Sequence, residues 1–78
     1  MQLILFGTSA CHLCEQAEVI VNACVPEAVE MIDIAEQWQW QDQYAIRIPV
    51  LVDRDSGQEL GWPFDAMAVE AFVKMCQL

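Results

Sequence analysis

Two cysteines near the start of the chain, Cys11 and Cys14, are separated by two residues. A helix is predicted to begin at about Cys11, and the three-residue spacing places both sulfurs on one side of its first turn. They can therefore close a short disulfide with little backbone movement. The unpaired N–H groups and the dipole at a helix start favour an anion, so Cys11 is the predicted nucleophilic thiolate. Cys14, one turn further in, is the predicted resolving thiol.

Three further residues are candidates for tuning Cys11 or for contacting its substrate. A protonated His12 favours the thiolate, whereas the like charge of Glu15, four residues after Cys11, disfavours it. The sequence does not rank these two effects, and His12 is also compatible with an exposed helix residue that takes no part in catalysis. Arg47 can lie by the thiolate, hold a substrate carboxylate or be a plain surface residue.

Metal binding is the alternative use of such a cysteine pair. A structural zinc site needs further ligands, usually from a second pair or from spaced histidines. The chain has a single histidine, and Cys24 and Cys76 stand alone on predicted core faces, where they are interpreted as small buried hydrophobes. No metal site is therefore expected. Redox chemistry is favoured because the pair lies between a buried strand and a helix.

Hydrophobic patterning predicts the elements that hold the pair. Residues 3–6 are continuously apolar, as expected of a strand buried on both faces. Residues 29–34 are rich in branched apolar side chains and predict a second strand. The helix between them, residues 11–24, has Thr8 and Ser9 as candidate caps. Because a helix separates the two strands, they are predicted to be parallel in a βαβ unit.

The second half of the chain predicts two strands and two helices. Residues 35–44 favour a helix, which Asp33 can cap, although the alternation around Trp38 and Trp40 is also typical of a strand. On a helix these two side chains cannot share a face, so one of them is expected to be exposed. Asp65 is the predicted cap of a last helix. The remaining elements are a strand at 49–52, a turn at 54–57 and a strand at 58–61.

These elements give an α/β chain of order βαβαββα, a four-stranded mixed sheet flanked by helices, in one domain over residues 1–78. The chain is 56% hydrophobic, which excludes disorder, and its net charge of −9 excludes a nucleic-acid role. The acidity serves solubility or selects a partner with a basic surface. The sequence shows neither a signal-peptide core nor a membrane-length apolar run, so we expect a cytoplasmic protein without membrane contact.

Pro49 opens the predicted third strand, directly after Ile48. Most X–Pro bonds are trans, so the sequence alone does not support a cis bond here. A cis bond beside the thiols would expose backbone groups that can pair with an extended substrate. Trp62 is interpreted either as a loop anchor packed on the sheet or as one wall of a substrate groove.

The chain resembles the glutaredoxin branch of the thioredoxin superfamily, in particular small bacterial glutaredoxin-like proteins with a Cys-His-Leu-Cys centre. The resemblance covers nearly the whole chain, and its specific parts are residues 7–14, residues 47–51 and the Gly61-Trp62 loop. It implies a thioredoxin-like fold with helices on both faces of the sheet. It also implies that Cys11 is the nucleophile, Cys14 the resolving thiol and Pro49 a cis-proline.

The chain departs from glutathione-using glutaredoxins at three places. Those proteins typically carry a Lys just before the cysteine motif, where this chain has Thr8. Arg47 and Ile48 replace the usual Thr-Val before the proline, and residues 61–65 replace a Gly-Gly and Asp segment. Because glutathione is anionic and this chain is acidic, glutathione is disfavoured as a co-substrate. No bound cofactor is expected.

The sequence thus predicts a monomeric thiol–disulfide oxidoreductase that acts on a protein or small-molecule disulfide. One alternative is a binding or scaffold protein that keeps the fold without turnover. The other is a metal or iron–sulfur carrier that bridges two chains through Cys11. The predicted catalytic residues are Cys11 and Cys14. Five further residues are candidate substrate contacts: His12, Arg47, Ile48, Pro49 and Trp62.

Overall fold

The computed structural model describes residues 1–77, and Leu78, the last residue of the predicted domain, lies outside the described residues. Four strands, three α-helices and one 3₁₀ turn alternate along the described chain. They are β1 (Leu3–Gly7), α1 (His12–Cys24), β2 (Glu30–Asp33), the 3₁₀ turn (Trp38–Trp40), α2 (Gln41–Tyr44), β3 (Val50–Asp53), β4 (Glu59–Gly61) and α3 (Ala66–Cys76).

The strands form one mixed sheet in the order β2-β1-β3-β4. As predicted, β1 and β2 are parallel; β3 is antiparallel to both β1 and β4. The register sets Gly7 opposite Asp33 on one side of β1, and Phe6 opposite Val50 on the other. The segment that leaves β1, the end of β2 and the start of β3 therefore meet at one end of the sheet.

The continuous apolar run of β1 is explained by burial on both faces of the sheet. Leu3 and Leu5 face a core shared with α1 and α3, whereas Ile4 and Phe6 face a second core that includes Tyr44 of α2. Side chains alternate along a strand, so a strand covered on both sides carries apolar residues at every position. The predicted placement of helices on both faces is confirmed.

The first helix begins where it was predicted, but its cap is a different residue. Cys11 has extended backbone angles at the N-cap position, and its Sγ accepts a hydrogen bond from the Cys14 N–H at 3.1 Å. Thr8 follows β1, and Ser9 lies in the turn before Cys11, which continues through Ala10 at a φ of 59°. Because this turn separates Thr8 and Ser9 from the first helical N–H groups, the prediction that they cap α1 is wrong.

The predicted helix over residues 35–44 is wrong in its first part. Asp33 Oδ1 accepts the Ala35 N–H at 2.9 Å, and a tight turn follows, in which the Asp33 carbonyl accepts from Glu36 and Gln37. Such local bonds compete with helical ones, so only a 3₁₀ turn and the short α2 form. Trp38 is 79% exposed while Trp40 packs 5.1 Å from Phe6, ring centre to ring centre, as the two-residue spacing predicted.

The remaining boundaries differ from the predicted ones by a residue or so. The β3–β4 hairpin turns at Gly57, whose φ of 77° suits glycine. Asp65 caps α3 as predicted, its Oδ1 accepting the Ala68 N–H at 2.8 Å. Within residues 1–77, none of the helices has the length and apolar character needed to span a membrane.

Candidate active site

Cys11 and Cys14 form a disulfide at the start of α1, with their Cα atoms 5.2 Å apart. The two residues differ in exposure: Cys11 is half-buried at the helix mouth, whereas Cys14 is 8% exposed on the inner face of the first turn. This difference follows from the amphipathic pattern of α1, in which Cys14, Ala17 and Val21 form the buried face. An external thiol or disulfide therefore reaches Cys11 before it reaches Cys14.

The start of α1 directs a hydrogen-bond donor at Cys11. The Cys14 N–H that contacts its Sγ belongs to the first helical turn, whose N–H groups have no partner within the helix. In the reduced protein the same donor and the helix dipole would stabilise a thiolate at Cys11. This is the local effect that the spacing of the two cysteines predicts.

His12 and Glu15 lie beside the disulfide and next to each other. His12 Nδ1 is 3.6 Å from Glu15 Oε2, and the His12 side chain is 91% exposed. The positive charge of a protonated His12 would therefore be directed partly at Glu15. A protonated His12 favours the Cys11 thiolate and Glu15 disfavours it. Because the two side chains are adjacent, their effects on the thiolate partly cancel.

Asp33 holds the segment that leads into Cys11. Its Oδ2 accepts the Ser9 N–H at 3.3 Å, and the adjacent Ile34 N–H donates to the Gly7 carbonyl at 2.9 Å. The hydrogen bond from Ala35, followed by those from Thr8 and Ser9, lowers the pKa of the Asp33 carboxyl against the opposing effect of its burial. The prediction that Asp33 caps a helix is wrong, because a tight turn and not a helix follows it. The sequence signal for its contact with Ser9 was its position at the carboxyl end of β2, because parallel strands bring this end next to the segment that follows β1.

The start of β3 lies at the same end of the sheet. The Ile48–Pro49 peptide bond is cis, as the resemblance implied, and the Pro49 side chain is fully buried. The Pro49 carbonyl accepts the Trp62 N–H at 3.2 Å, which ties the start of β3 to the end of β4. Trp62 is half-buried and meets Phe64 edge to face, with ring centres 5.0 Å apart, which fits its interpretation as a loop anchor. Its role as a wall of a substrate groove stays a prediction.

Arg47 is engaged by a carboxylate. Its guanidinium forms an ion pair with Glu59 and lies 5.4 Å from the centre of the Tyr44 ring. The Tyr44 hydroxyl donates to the same carboxylate at 2.9 Å. The hydrogen bond that Arg47 donates to Glu59 raises the pKa of Arg47. This partner was missed from the sequence, and a substrate-binding role of Arg47 stays a prediction.

The other two cysteines pack against the core shared by α1 and α3, as predicted, but they are half-buried rather than buried. Cys24 Sγ lies 3.7 Å from the Ala66 carbonyl, to which it donates. Burial raises the pKa of both Cys24 and Cys76, which keeps these thiols protonated and weakly nucleophilic. Within residues 1–77 no three His, Cys, Asp or Glu side chains converge as a metal site.

A mixed sheet with helices on both faces, a cysteine pair at the start of the helix after β1 and a cis-proline before the adjacent antiparallel strand define the thioredoxin-like fold. The model of the Glutaredoxin-like domain (DUF836) matches residues 2–74. The chain belongs to this glutaredoxin-like family. A search among curated proteins found no match.

Solved structures of similar proteins agree with this assignment. The chain is 34% identical to protein XcR50 from X. campestris in its X-ray structure, with a TM-score of 0.84 and 94% of this chain and 96% of that chain covered. The solution structure of XcR50 gives 35% identity and a TM-score of 0.82, covering 96% and 95%. Protein Ne2328 from Nitrosomonas europaea is 25% identical, with a TM-score of 0.72 and 91% and 88% covered.

Proposed function

We propose that the protein is a thiol–disulfide oxidoreductase in which Cys11 attacks and Cys14 resolves. The Cys11 thiolate of the reduced protein attacks one sulfur of a substrate disulfide. The substrate S–S bond breaks, a mixed disulfide forms at Cys11, and the departing thiolate takes a proton. Cys14 then loses its proton, attacks Cys11 Sγ and expels the second substrate thiol. Two electrons pass to the substrate, and the protein ends as the Cys11–Cys14 disulfide.

The observation that carries the proposal is the unequal placement of the two sulfurs. Cys11 is the accessible one and receives the Cys14 N–H, whereas Cys14 is buried beneath it. An accessible, anion-stabilised thiol is suited to bimolecular attack. A shielded thiol within disulfide distance is suited to the intramolecular step that follows. Membership of the glutaredoxin-like family supports the same chemistry.

The substrate contacts are proposed on the side of β3. Pro49 and Trp62 are joined by a backbone hydrogen bond at the sheet end that also carries the disulfide segment. An extended peptide that presents its disulfide to Cys11 would run along this end of the sheet, past Ile48. His12, fully solvated on the first turn of α1, would meet the same substrate. A protein disulfide fits this open site better than a small ligand that requires enclosure.

The experiment compares single cysteine variants by intact mass after reaction with a peptide disulfide. Reduced Cys14→Ser should accumulate one peptide as a stable mixed disulfide on Cys11. Cys11→Ser should form none and lose its reductase rate, while Cys24→Ser, the matched control, should behave as wild type. A peptide adduct on Cys24 or Cys76, or an undiminished rate in Cys11→Ser, would overturn the proposal.

A non-catalytic binding protein is the second candidate, and exposed apolar side chains favour it. Ile46 is almost fully exposed and Trp38 largely so. Large apolar groups in water are typical of contact surfaces. On this alternative the reduced protein would show no turnover of any disulfide. Partner binding would then be lost in Trp38→Ser or Ile46→Ser and retained in Cys11→Ser.

A further inference from the structure

A groove of about 370 Å³ lies beside the disulfide, between the start of α1 and the edge strand β2. Cys14 lines it, so an occupant would lie next to the reacting sulfurs. Leu5 and Met31 supply apolar surface; they are paired across β1 and β2 and face the same side of the sheet. Leu5 is buried but Met31 is 42% exposed, because the helices leave this edge uncovered. The groove therefore has an apolar floor that is open to solvent.

The walls of this groove carry negative charge. Glu15 and Glu18 line it from successive turns of α1, where a three-residue spacing sets side chains on one side of a helix. Asp33 lines it from the end of β2, and the hydrogen bonds that lower its pKa keep it ionised at neutral pH. Neither arginine nor lysine is among the groove-lining residues in the described part of the chain. An apolar floor between carboxylates matches a side chain with an apolar stem and a cationic end.

We propose that the groove receives a lysine or arginine side chain that flanks the reactive cysteine of a protein disulfide. The methylene stem would pack on Met31 and Leu5, and the cation would reach Glu15 and Glu18. The inference rests on the proposed function and specifies its substrate class: a disulfide within a basic segment. It also fits the presence of Thr8 where glutathione-using glutaredoxins carry a Lys. An acidic groove repels the carboxylates of an anionic thiol such as glutathione.

The size of the effect follows from the exposure of the carboxylates. An exposed ion pair changes binding by about two- to fivefold. Two such carboxylates predict that a peptide disulfide with Lys beside the attacked cysteine reacts about tenfold faster than its Glu counterpart. A norleucine peptide, which keeps the stem without the charge, should fall between them. The preference for Lys should shrink as salt is raised, because exposed charges are screened.

The test measures the rate at which reduced protein is oxidised by the matched Lys and Glu peptide disulfides. Glu15→Gln/Glu18→Gln should bring the Lys-to-Glu rate ratio near one. The ratio is the informative quantity, because Glu15 also acts directly on Cys11 and shifts both rates together. The control is Glu27→Gln/Glu70→Gln, which removes the same net charge from exposed positions outside the groove and should keep the ratio.

The outcomes separate the groove inference from the proposed function. Equal rates with the Lys and Glu peptides in wild type would overturn the groove inference and leave the oxidoreductase intact. The groove inference also fails if Glu15→Gln/Glu18→Gln keeps the ratio, or if the control loses it as much. If neither peptide is reduced, the proposed function itself fails. Glu15→Lys/Glu18→Lys, which should reverse the preference towards the Glu peptide, tests the sign of the interaction independently.

Discussion

Gly7 and Cys14 lie so close that a β-carbon added at position 7 would be 3.2 Å from both Cβ and Sγ of Cys14. The contact arises because the end of β1 meets the inner face of the first turn of α1. The absence of a side chain at Gly7 thus lets the Cys14 sulfur sit directly against the sheet. The central strand and the disulfide are in contact through these two residues.

Gly7→Ala should displace Cys14 by a few tenths of an ångström and destabilise the fold by about 1–3 kcal/mol, the usual cost of overpacking. Resolution of a mixed disulfide on Cys11 should also slow, because the attacking sulfur is shifted. Gly61→Ala is the matched control, since nothing lies within 4 Å of a β-carbon there. Denaturant unfolding and the rate of release of a second thiol check both effects. Equal losses at the two positions would contradict the contact argument.

Asp33→Asn should lower the free energy of unfolding at neutral pH and should have little effect on it in acid. The lowered pKa in the folded protein means that Asp33 stabilises the fold above its ordinary pKa of about 3.9. This contribution is lost as the pH falls through the pKa of Asp33 in the folded protein. The free energies of unfolding of wild type and variant should therefore converge at that pH. Urea unfolding across the acid range measures this. Asp42→Asn, at an exposed position in α2, is the matched control and should leave the free energy of unfolding at neutral pH close to that of the wild type. A difference for Asp33→Asn that stays constant across the acid range would refute the assignment.

Asp53→Ala should be among the most destabilising single changes. Asp53 is 1% exposed and accepts hydrogen bonds from the Gln2 N–H, the Asp55 N–H and the Ser56 hydroxyl. Burial raises its pKa, but these bonds outweigh burial and the net shift is downward. Truncation leaves three part-buried donors without an acceptor, which costs about 1–3 kcal/mol. Calorimetry or urea unfolding at neutral pH checks this. A loss no larger than that of Asp55→Ala, an exposed neighbour, would count against it.

The Tyr44 hydroxyl should ionise far above the usual range. Burial first, and then the hydrogen bond to Glu59, raise the pKa of Tyr44 to about 12. Because Tyr44 is the single tyrosine of the chain, the phenolate absorbance band reports it alone. The raised pKa also means that its contribution to stability is complete below pH 10, about the unfolded value, and declines as the pH rises towards the folded one.

Two substitutions should move the pKa of Tyr44 in opposite directions. Glu59→Gln removes a contribution that raises it, so ionisation should shift downward while staying above the ordinary value, because burial remains. Arg47→Gln removes a contribution that lowers it, so ionisation should shift upward. Absorbance titration of the three proteins tests the order. A common midpoint near that of free tyrosine would show that the Tyr44–Glu59 contact is absent in solution.

The sequence alone determined the features that depend on neighbours along the chain. The burial of β1, the cap at Asp65 and the cysteine pair at a helix start were all predicted correctly. Each rests on periodicity or on hydrogen bonds that span a few residues, and these are readable from spacing. The cis bond at Pro49 was implied by the resemblance and not by the residues themselves.

Only the tertiary structure decided the features that join distant residues. Asp33 holds Ser9 across 24 positions, and Arg47 reaches Glu59 across 12, because the strand register brings their elements together. The same register leaves Met31 open beside Cys14 and so creates the acidic groove. Side-chain type and spacing thus defined the reactive pair, whereas long-range packing defined its surroundings.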